Sequence, residues 1–225
     1  MSKPKVKVAI DGPAGAGKST AAHGLAKRLG FVLVDTGALY RGVALAAKQA
    51  GIDVNDAQAL GALSAKLHFE FRSNAQGEPR LWMNQVDVSD DIRRPDISRG
   101  ASDVSRHPEV RQALLDIQRQ LGSQDNVVLE GRDIATVVFP DAEFKFFLTA
   151  DVDARAKRRL LELKRRGIEG KLEEVRAQIQ ERDAQDSGRA VAPLKAAEDA
   201  IIIDSTQMSL EQVIEHLAEL VQKGA

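Results

Sequence analysis

The residues with the plainest chemical purpose are Gly12, Pro13, Ala14, Gly15, Ala16, Gly17, Lys18, Ser19 and Thr20, which follow an apolar run ending at Asp11. Gly12, Gly17, Lys18 and Ser19 have the spacing G-x-x-x-x-G-K-[ST], that of a loop that wraps nucleotide phosphates. Glycine lets such a loop turn its N–H groups inward and approach an anion closely. Alanines follow at Ala21 and Ala22 and favour a helix, whose positive end then points at the phosphates. In this arrangement Lys18 reaches the β- and γ-phosphates and the Ser19 hydroxyl ligates Mg²⁺. The loop is expected to be solvated when no nucleotide is bound. It implies a triphosphate but does not separate a switch, a motor and a kinase.

Arginines placed after strands carry the next inference. Asp35-Thr36-Gly37-Ala38-Leu39-Tyr40-Arg41 starts at the end of an apolar run, where open α/β sheets bind ligands. Arg41, one turn into the next helix, can turn back towards an anion. Glu130-Gly131-Arg132-Asp133 follows a second run, and an acidic residue there can orient a Mg²⁺-bound water. Arg155, Arg158 and Arg159 have helical spacing and share one face. Arg182, Asp186 and Arg189 recur at spacings of four and three, again the spacing of one helical face. Charged helix faces are usually only solvated, and Lys164, Arg165 and Arg166 are expected to be so. Beside a phosphate loop, however, clustered arginines have a task. Phosphoryl transfer needs positive charge spread along the transferring group, and arginine binds phosphate bidentately without losing its charge. An arginine-rich helix can also close over the nucleotide as a lid and exclude water.

Other classes fit less well. No Asp is followed by Gly at the third position after it, so the γ-phosphate sensor D-x-x-G of a GTPase switch is absent. Asn84-Gln85-Val86-Asp87 only faintly resembles a guanine-reading N-K-x-D and lies in an alternating segment. The chain has 225 residues and a formal net charge of −1, with no basic field suited to nucleic acid. It has no cysteine, which excludes disulfides and thiolate chemistry, and its four histidines are scattered without metal-ligand spacing. Residues 1–6 carry no apolar signal region and no apolar run approaches membrane-spanning length. A cytoplasmic monomer is the expectation.

The elements that must position these residues alternate between apolar runs and helical patterns, which implies βαβ units and a parallel sheet. Strands are expected at Val6–Ile10, Phe31–Val34, Asn126–Leu129, Phe144–Leu148 and Ala200–Ile203. Helices are expected at Lys18–Leu29 with Gly30 as its stop, Ala38–Gln49 with a stop near Gly51, Pro108–Leu121, Val152–Arg166 and Leu172–Ala184. Ser209-Leu210-Glu211-Gln212 forms a capping box into a final helix. Residues 67–92 break the rhythm with period-two alternation around Ser73-Asn74-Ala75-Gln76-Gly77, which predicts a hairpin and a third short strand. This insertion reads either as an edge decoration or as a substrate-covering subdomain.

Taken together, "IDGPAGAGKST", "DTGALYR", "LEGRDIATVVFPDA", "RDAQDSGRAVAPL" and "IIIDSTQMSLEQVI" closely resemble bacterial cytidylate kinases, from Val6 to the last helix. The resemblance implies an α/β P-loop kinase fold, a five-stranded parallel sheet flanked by helices with a small antiparallel β insertion. Residues 1–66 and 98–225 would form the core, with an arginine-rich lid at about 152–190, and residues 67–97 the monophosphate-binding insert. It implies phosphoryl transfer from ATP to CMP or dCMP with Mg²⁺, and no nucleic-acid or membrane partner. Arg41, Arg132 and Arg189 would hold the CMP phosphate, and Thr36, Ser102, Arg111 and Asp133 would read cytosine. Arg182 and Asp186 would contact the sugar. Arg155, Arg158 and Arg159 would serve the lid over ATP, with Lys18, Arg132, Arg158 and Arg189 the catalytic set. Ser19 would ligate Mg²⁺, with Asp35 and Glu130 acting through water. Ser19 stands where some relatives have Gly, and Thr36 where some have Ser. Cytosine offers a 4-amino donor that suits a carboxylate, whereas uracil would set a carbonyl against Asp133. The alternatives are a kinase for UMP, dTMP or shikimate and, from a different class, a slowly hydrolysing nucleotide switch.

Overall fold

The computed structural model describes residues 5–75, 78–165 and 167–224. In chain order the elements are β1 (Lys7–Asp11), α1 (Lys18–Leu29), β2 (Val32–Asp35), α2 (Thr36–Ala50), α3 (Ala57–Ser64), β3 (Phe69–Ser73), β4 (Pro79–Met83), β5 (Val86–Asp87), α4 (Pro95–Val104), α5 (Pro108–Gly122), β6 (Val127–Glu130), β7 (Phe144–Thr149), α6 (Val152–Arg165), α7 (Leu172–Ser187), β8 (Ile201–Asp204) and α8 (Leu210–Gly224). A 3₁₀ turn at Asp91–Arg93 precedes α4, and a π-helical turn at Ile134–Val138 follows β6. Two compact units result: residues 1–33 with 125–225, and residues 34–124.

Five strands form the main sheet in the order β2-β6-β1-β7-β8. The β1–β6, β1–β7 and β7–β8 pairs are parallel. Each strand ends one residue later than the apolar runs predict, because a ladder depends on backbone groups and continues past the last apolar side chain. Ile10 pairs with Glu130, Asp11 with Phe147 and Thr149 with Asp204. The carboxylates of Asp11, Asp35, Glu130 and Asp204 therefore stand on the last residue of their strands.

In the first unit, Val8, Ile10, Val128, Phe146, Leu148 and Ile203 pack with Ala22, Leu25, Val213 and Leu217 of α1 and α8. The expected bounds of α1 hold at both ends, and the Gly30 cap, at φ 69°, returns its N–H to the Ala26 carbonyl. The capping box before α8 is reciprocal. The Ser209 N–H donates to Gln212 Oε1 at 2.8 Å and the Gln212 N–H donates to Ser209 Oγ at 3.2 Å. A small satellite core of Ala156, Val175 and Ile179 joins α6 to α7. Arg166, expected to end α6, lies outside the described residues.

The second unit is a core of Leu39, Val43, Leu60, Leu81, Met83, Ile97, Val104, Val110 and Leu114. It covers one face of the expected hairpin, whose strands β3, β4 and β5 are antiparallel. Gln76 and Gly77 of the expected turn lie outside the described residues. The β4–β5 turn is made by Asn84 and Gln85, both at positive φ, which accounts for the residues that faintly resembled a guanine motif. Helices α3 and α4 are additions that the sequence reading did not give. Gly61 and Gly100 lie inside them and weaken local propensity.

Gly12, at φ 147°, leaves β1 beside β7, and an added Cβ would meet the Leu148 carbonyl oxygen at 2.0 Å. Because the obstacle is backbone, the loop would have to move. Gly12→Ala is expected to destabilise by roughly 2 kcal/mol or more, a drop in Tm of roughly 4–8 °C measurable by thermal denaturation.

Candidate active site

The phosphate loop is braced from behind by arginines. Arg155 Nη1 donates to the Ala14 carbonyl at 2.9 Å and to Asp183 Oδ2 at 2.6 Å, and Arg155 Nε donates to the Ala150 carbonyl at 2.9 Å. Arg158 donates to the Ala16 carbonyl at 3.4 Å and, at 3.0 and 2.5 Å, to the Ser205 hydroxyl and carbonyl. A trans peptide sets its N–H opposite its C=O, so the Gly15 and Gly17 N–H groups point away from these two arginines. Arg159 instead pairs with Glu162 at 2.7 Å. Arg155, Arg158 and Arg159 thus share a helix, and of these Arg155 and Arg158 donate to loop carbonyls. Lys164 and Arg165 are exposed, as expected.

Lys18 corrects the expectation of a solvated loop, because it is 4% exposed. With its neighbours packed around it, Nζ donates to the Pro13 carbonyl at 2.9 Å. Burial pulls its pKa down to about 7, assisted by Arg132 and Arg182 and opposed by Glu130 and Asp11.

Asp186, in the last turn of α7, has 0% exposure. Its carboxylate accepts from Arg132 Nε at 2.9 Å and from Arg189 Nη2, and lies 4.0 Å from Arg182 Nε. Burial pushes the Asp186 carboxyl up, but the three guanidinium groups outweigh it and hold it below the ordinary carboxylate range. Arg189 does not ride on the helical face that its spacing suggested. The helix ends at Ser187, and the chain turns at Gly188 to bring Arg189 back onto Asp186.

Ser19 Oγ donates to Glu130 Oε1 at 2.6 Å, which sets a hydroxyl and a carboxylate side by side. These are hard oxygen donors suited to Mg²⁺. No group of three or more His, Cys, Asp or Glu side chains gathers as a metal cage among the described residues. After β6 comes Arg132, then Asp133 at the head of the π-helical turn. Asp133 is buried. Asp11, which the sequence reading gave no role, receives the Ile134 and Ala135 N–H groups at 2.9 and 2.8 Å. A carboxylate directly after the apolar residues Val8, Ala9 and Ile10 was its only signal in the sequence. Asp183 and Ser205, the partners of Arg155 and Arg158, were likewise not singled out.

In the second unit, Asp35 caps α2 by accepting the Ala38 N–H at 2.9 Å and pairs with Arg41 Nη2 at 2.7 Å. Arg41 does turn back onto an anion, and here that anion is Asp35. Thr36 and Ser102 are buried. Arg111 is also buried; it lies 5.5 Å from the centre of the Tyr40 ring and donates to the Ser105 carbonyl at 3.3 Å.

Residues 8–223 match the family model described as Cytidylate kinase. The chain belongs to the cytidylate kinase family. Among curated relatives, the cytidylate kinase of Syntrophotalea carbinolica is 51% identical over 95% of this chain and 91% of its own. That of Caldanaerobacter subterraneus subsp. tengcongensis is 48% identical over 97% and 96%. A solved structure of an uncharacterized protein from Eubacterium ventriosum is similar in fold, with a TM-score of 0.51 at 13% identity over 97% of this chain and 99% of that one.

In this kinase the buried Lys18 has a stability consequence. Between its folded pKa near 7 and its ordinary value of 10.5, the unfolded chain binds more protons at this residue than the folded chain. Stability from this group therefore rises with pH across that window. Lys18→Met should melt above the wild type at pH 7 and below, with the gain shrinking towards pH 10. Thermal melts across that range check this; a gain independent of pH would contradict it.

Proposed function

We propose that this chain transfers the γ-phosphoryl group of ATP to CMP, giving ADP and CDP, and that dCMP is also an acceptor. The observation that carries the reading is the convergence of Arg132, Arg182 and Arg189 on the buried carboxylate of Asp186. Guanidinium groups brought together in this way suit the binding of a phosphate. Lys18, electrostatically coupled to Arg132 and Arg182, belongs to the same field. A phosphoryl group in transfer spreads charge over its oxygens, and fixed cations stabilise it without reorganising.

In this reading the loop residues Gly12 to Thr20 bind ATP, and Lys18 approaches its β- and γ-phosphates. Arg155, Arg158 and Arg159 serve the ATP side, with the contacts of Arg155 and Arg158 to loop carbonyls supporting that assignment. Arg132 and Arg189 bind the CMP phosphate, and Arg182 and Asp186 meet the sugar. Asp133 accepts from the cytosine amino group. In the second unit, Thr36, Ser102 and Arg111 are assigned to the base and Arg41 to the acceptor phosphate. Mg²⁺ would be held by Ser19, with Glu130 and Asp35 acting through water, and supplies charge neutralisation on the phosphates. The chain is proposed to work as a cytoplasmic monomer without nucleic-acid or membrane partners. No helix among the described residues is long and apolar enough to cross a membrane.

Base choice tests the reading. In a coupled assay across nucleoside monophosphates, CMP should exceed UMP in kcat/KM by about two orders of magnitude or more, since a buried acceptor facing an acceptor is strongly rejected. Asp133→Ala should erode that preference while ATP affinity stays within about twofold, because the donor half is untouched. Equal use of UMP and CMP by the wild type would contradict the assignment.

A further inference from the structure

We propose that Asp11 is a positioning residue for acceptor recognition, which caps the turn after Asp133 and so fixes the backbone from which the Asp133 side chain is presented to the base. An aspartate at the head of a helical turn ordinarily caps that turn with its own carboxylate. Asp133 occupies this position, at φ −146° and ψ 25°, yet makes no side-chain cap bond to its turn. Its main-chain carbonyl instead accepts the Val137 and Val138 N–H groups at 2.9 and 3.2 Å. The first two N–H groups of the turn, those of Ile134 and Ala135, donate to Asp11, one to each carboxylate oxygen. The cap thus comes from 123 residues away in sequence.

The acceptor and both donor residues are buried, with Asp11 at 2%, Ile134 at 0% and Ala135 at 3% exposure. Water therefore offers no ready substitute. Burial pushes the Asp11 carboxyl up to about 6 despite these two N–H bonds, so its charge is kept in an unfavourable place, consistent with a geometric purpose. Asp11 also immediately precedes Gly12, the first residue of the phosphate loop. One side chain therefore joins the start of the loop assigned to the donor with the segment Arg132–Asp133 assigned to the acceptor. Asparagine cannot replace it. Its oxygen accepts one N–H, and its amino group meets the other donor to donor.

The inference rests on the reading of Asp133 as the base contact, and the experiment separates the two. Wild type, Asp11→Asn and Asp133→Asn are assayed with CMP and UMP at saturating ATP. ATP affinity is measured by equilibrium binding, and the Ile134 and Ala135 amides are followed by hydrogen exchange. For Asp11→Asn we expect a CMP KM at least tenfold higher, a lower CMP-to-UMP ratio, and ATP affinity within twofold of wild type. One or both of the two amides should exchange at least tenfold faster. An unchanged ratio with Asp133→Asn still lowering it would overturn the role of Asp11 alone. An unchanged ratio in Asp133→Asn would overturn the base reading beneath it. Equal losses towards ATP and CMP would make Asp11 a brace of the phosphate loop and overturn the proposal. Should Asp11→Asn fail to fold, the wild type still decides: slow exchange of both amides supports the cap, and rapid exchange overturns it.

Discussion

A single buried carboxylate among three guanidinium groups sets the terms for the first unit. Without Asp186, Arg132, Arg182 and Arg189 would repel one another inside the protein, where effective dielectric is low and separation short. Removing one partner from such a buried pair typically costs about 3–5 kcal/mol. Asp186 alone meets all three guanidinium groups, while Glu130 and Asp11 add negative charge near Arg132. Two stretches far apart in sequence deliver this cluster: the loop after β6, and the end of α7 with the reversal at Gly188.

The same charges reach the phosphate loop. Burial lowers the Lys18 pKa, and Arg132 and Arg182 add to the effect. Arg155 and Arg158 spend their donors on loop carbonyls rather than on solvent, which fixes the direction in which the peptide units face. A loop held in this way loses less freedom when it closes on phosphates. Asp183 and Ser205 in turn hold these two arginines. The stiffness of the loop is thus supplied by α6, α7 and the segment after β8.

Much of this was legible in the residues themselves. Local signals worked where one residue settles one conformation: Gly30 ended α1, Pro108 opened α5, and Ser209 with Gln212 capped α8. Apolar runs located all five core strands but misjudged their ends, since hydrogen-bond ladders extend onto Asp11, Asp35, Glu130 and Asp204. That one-residue difference places carboxylates on strand ends, where the site chemistry begins. Helical spacing grouped Arg182, Asp186 and Arg189 correctly as neighbours for a partly wrong reason, because Arg189 returns after the helix has ended. Pairings such as Asp11 with Ile134 and Ala135, or Arg155 with Ala14, span more than 120 residues. They depend on the assembled sheet, and no local pattern announces them. The sequence also could not tell that Lys18 is buried, since exposure of a loop residue is set by what folds against it.

The most direct measurement is the titration of the Lys18 ε-amino group, followed by NMR in the nucleotide-free protein and with ATP bound. Burial, assisted by Arg132 and Arg182, predicts a pKa near 7 in the free protein and a clear rise once phosphates bring negative charge beside the amino group. A free-state value at the ordinary 10.5, unchanged by nucleotide, would contradict the account.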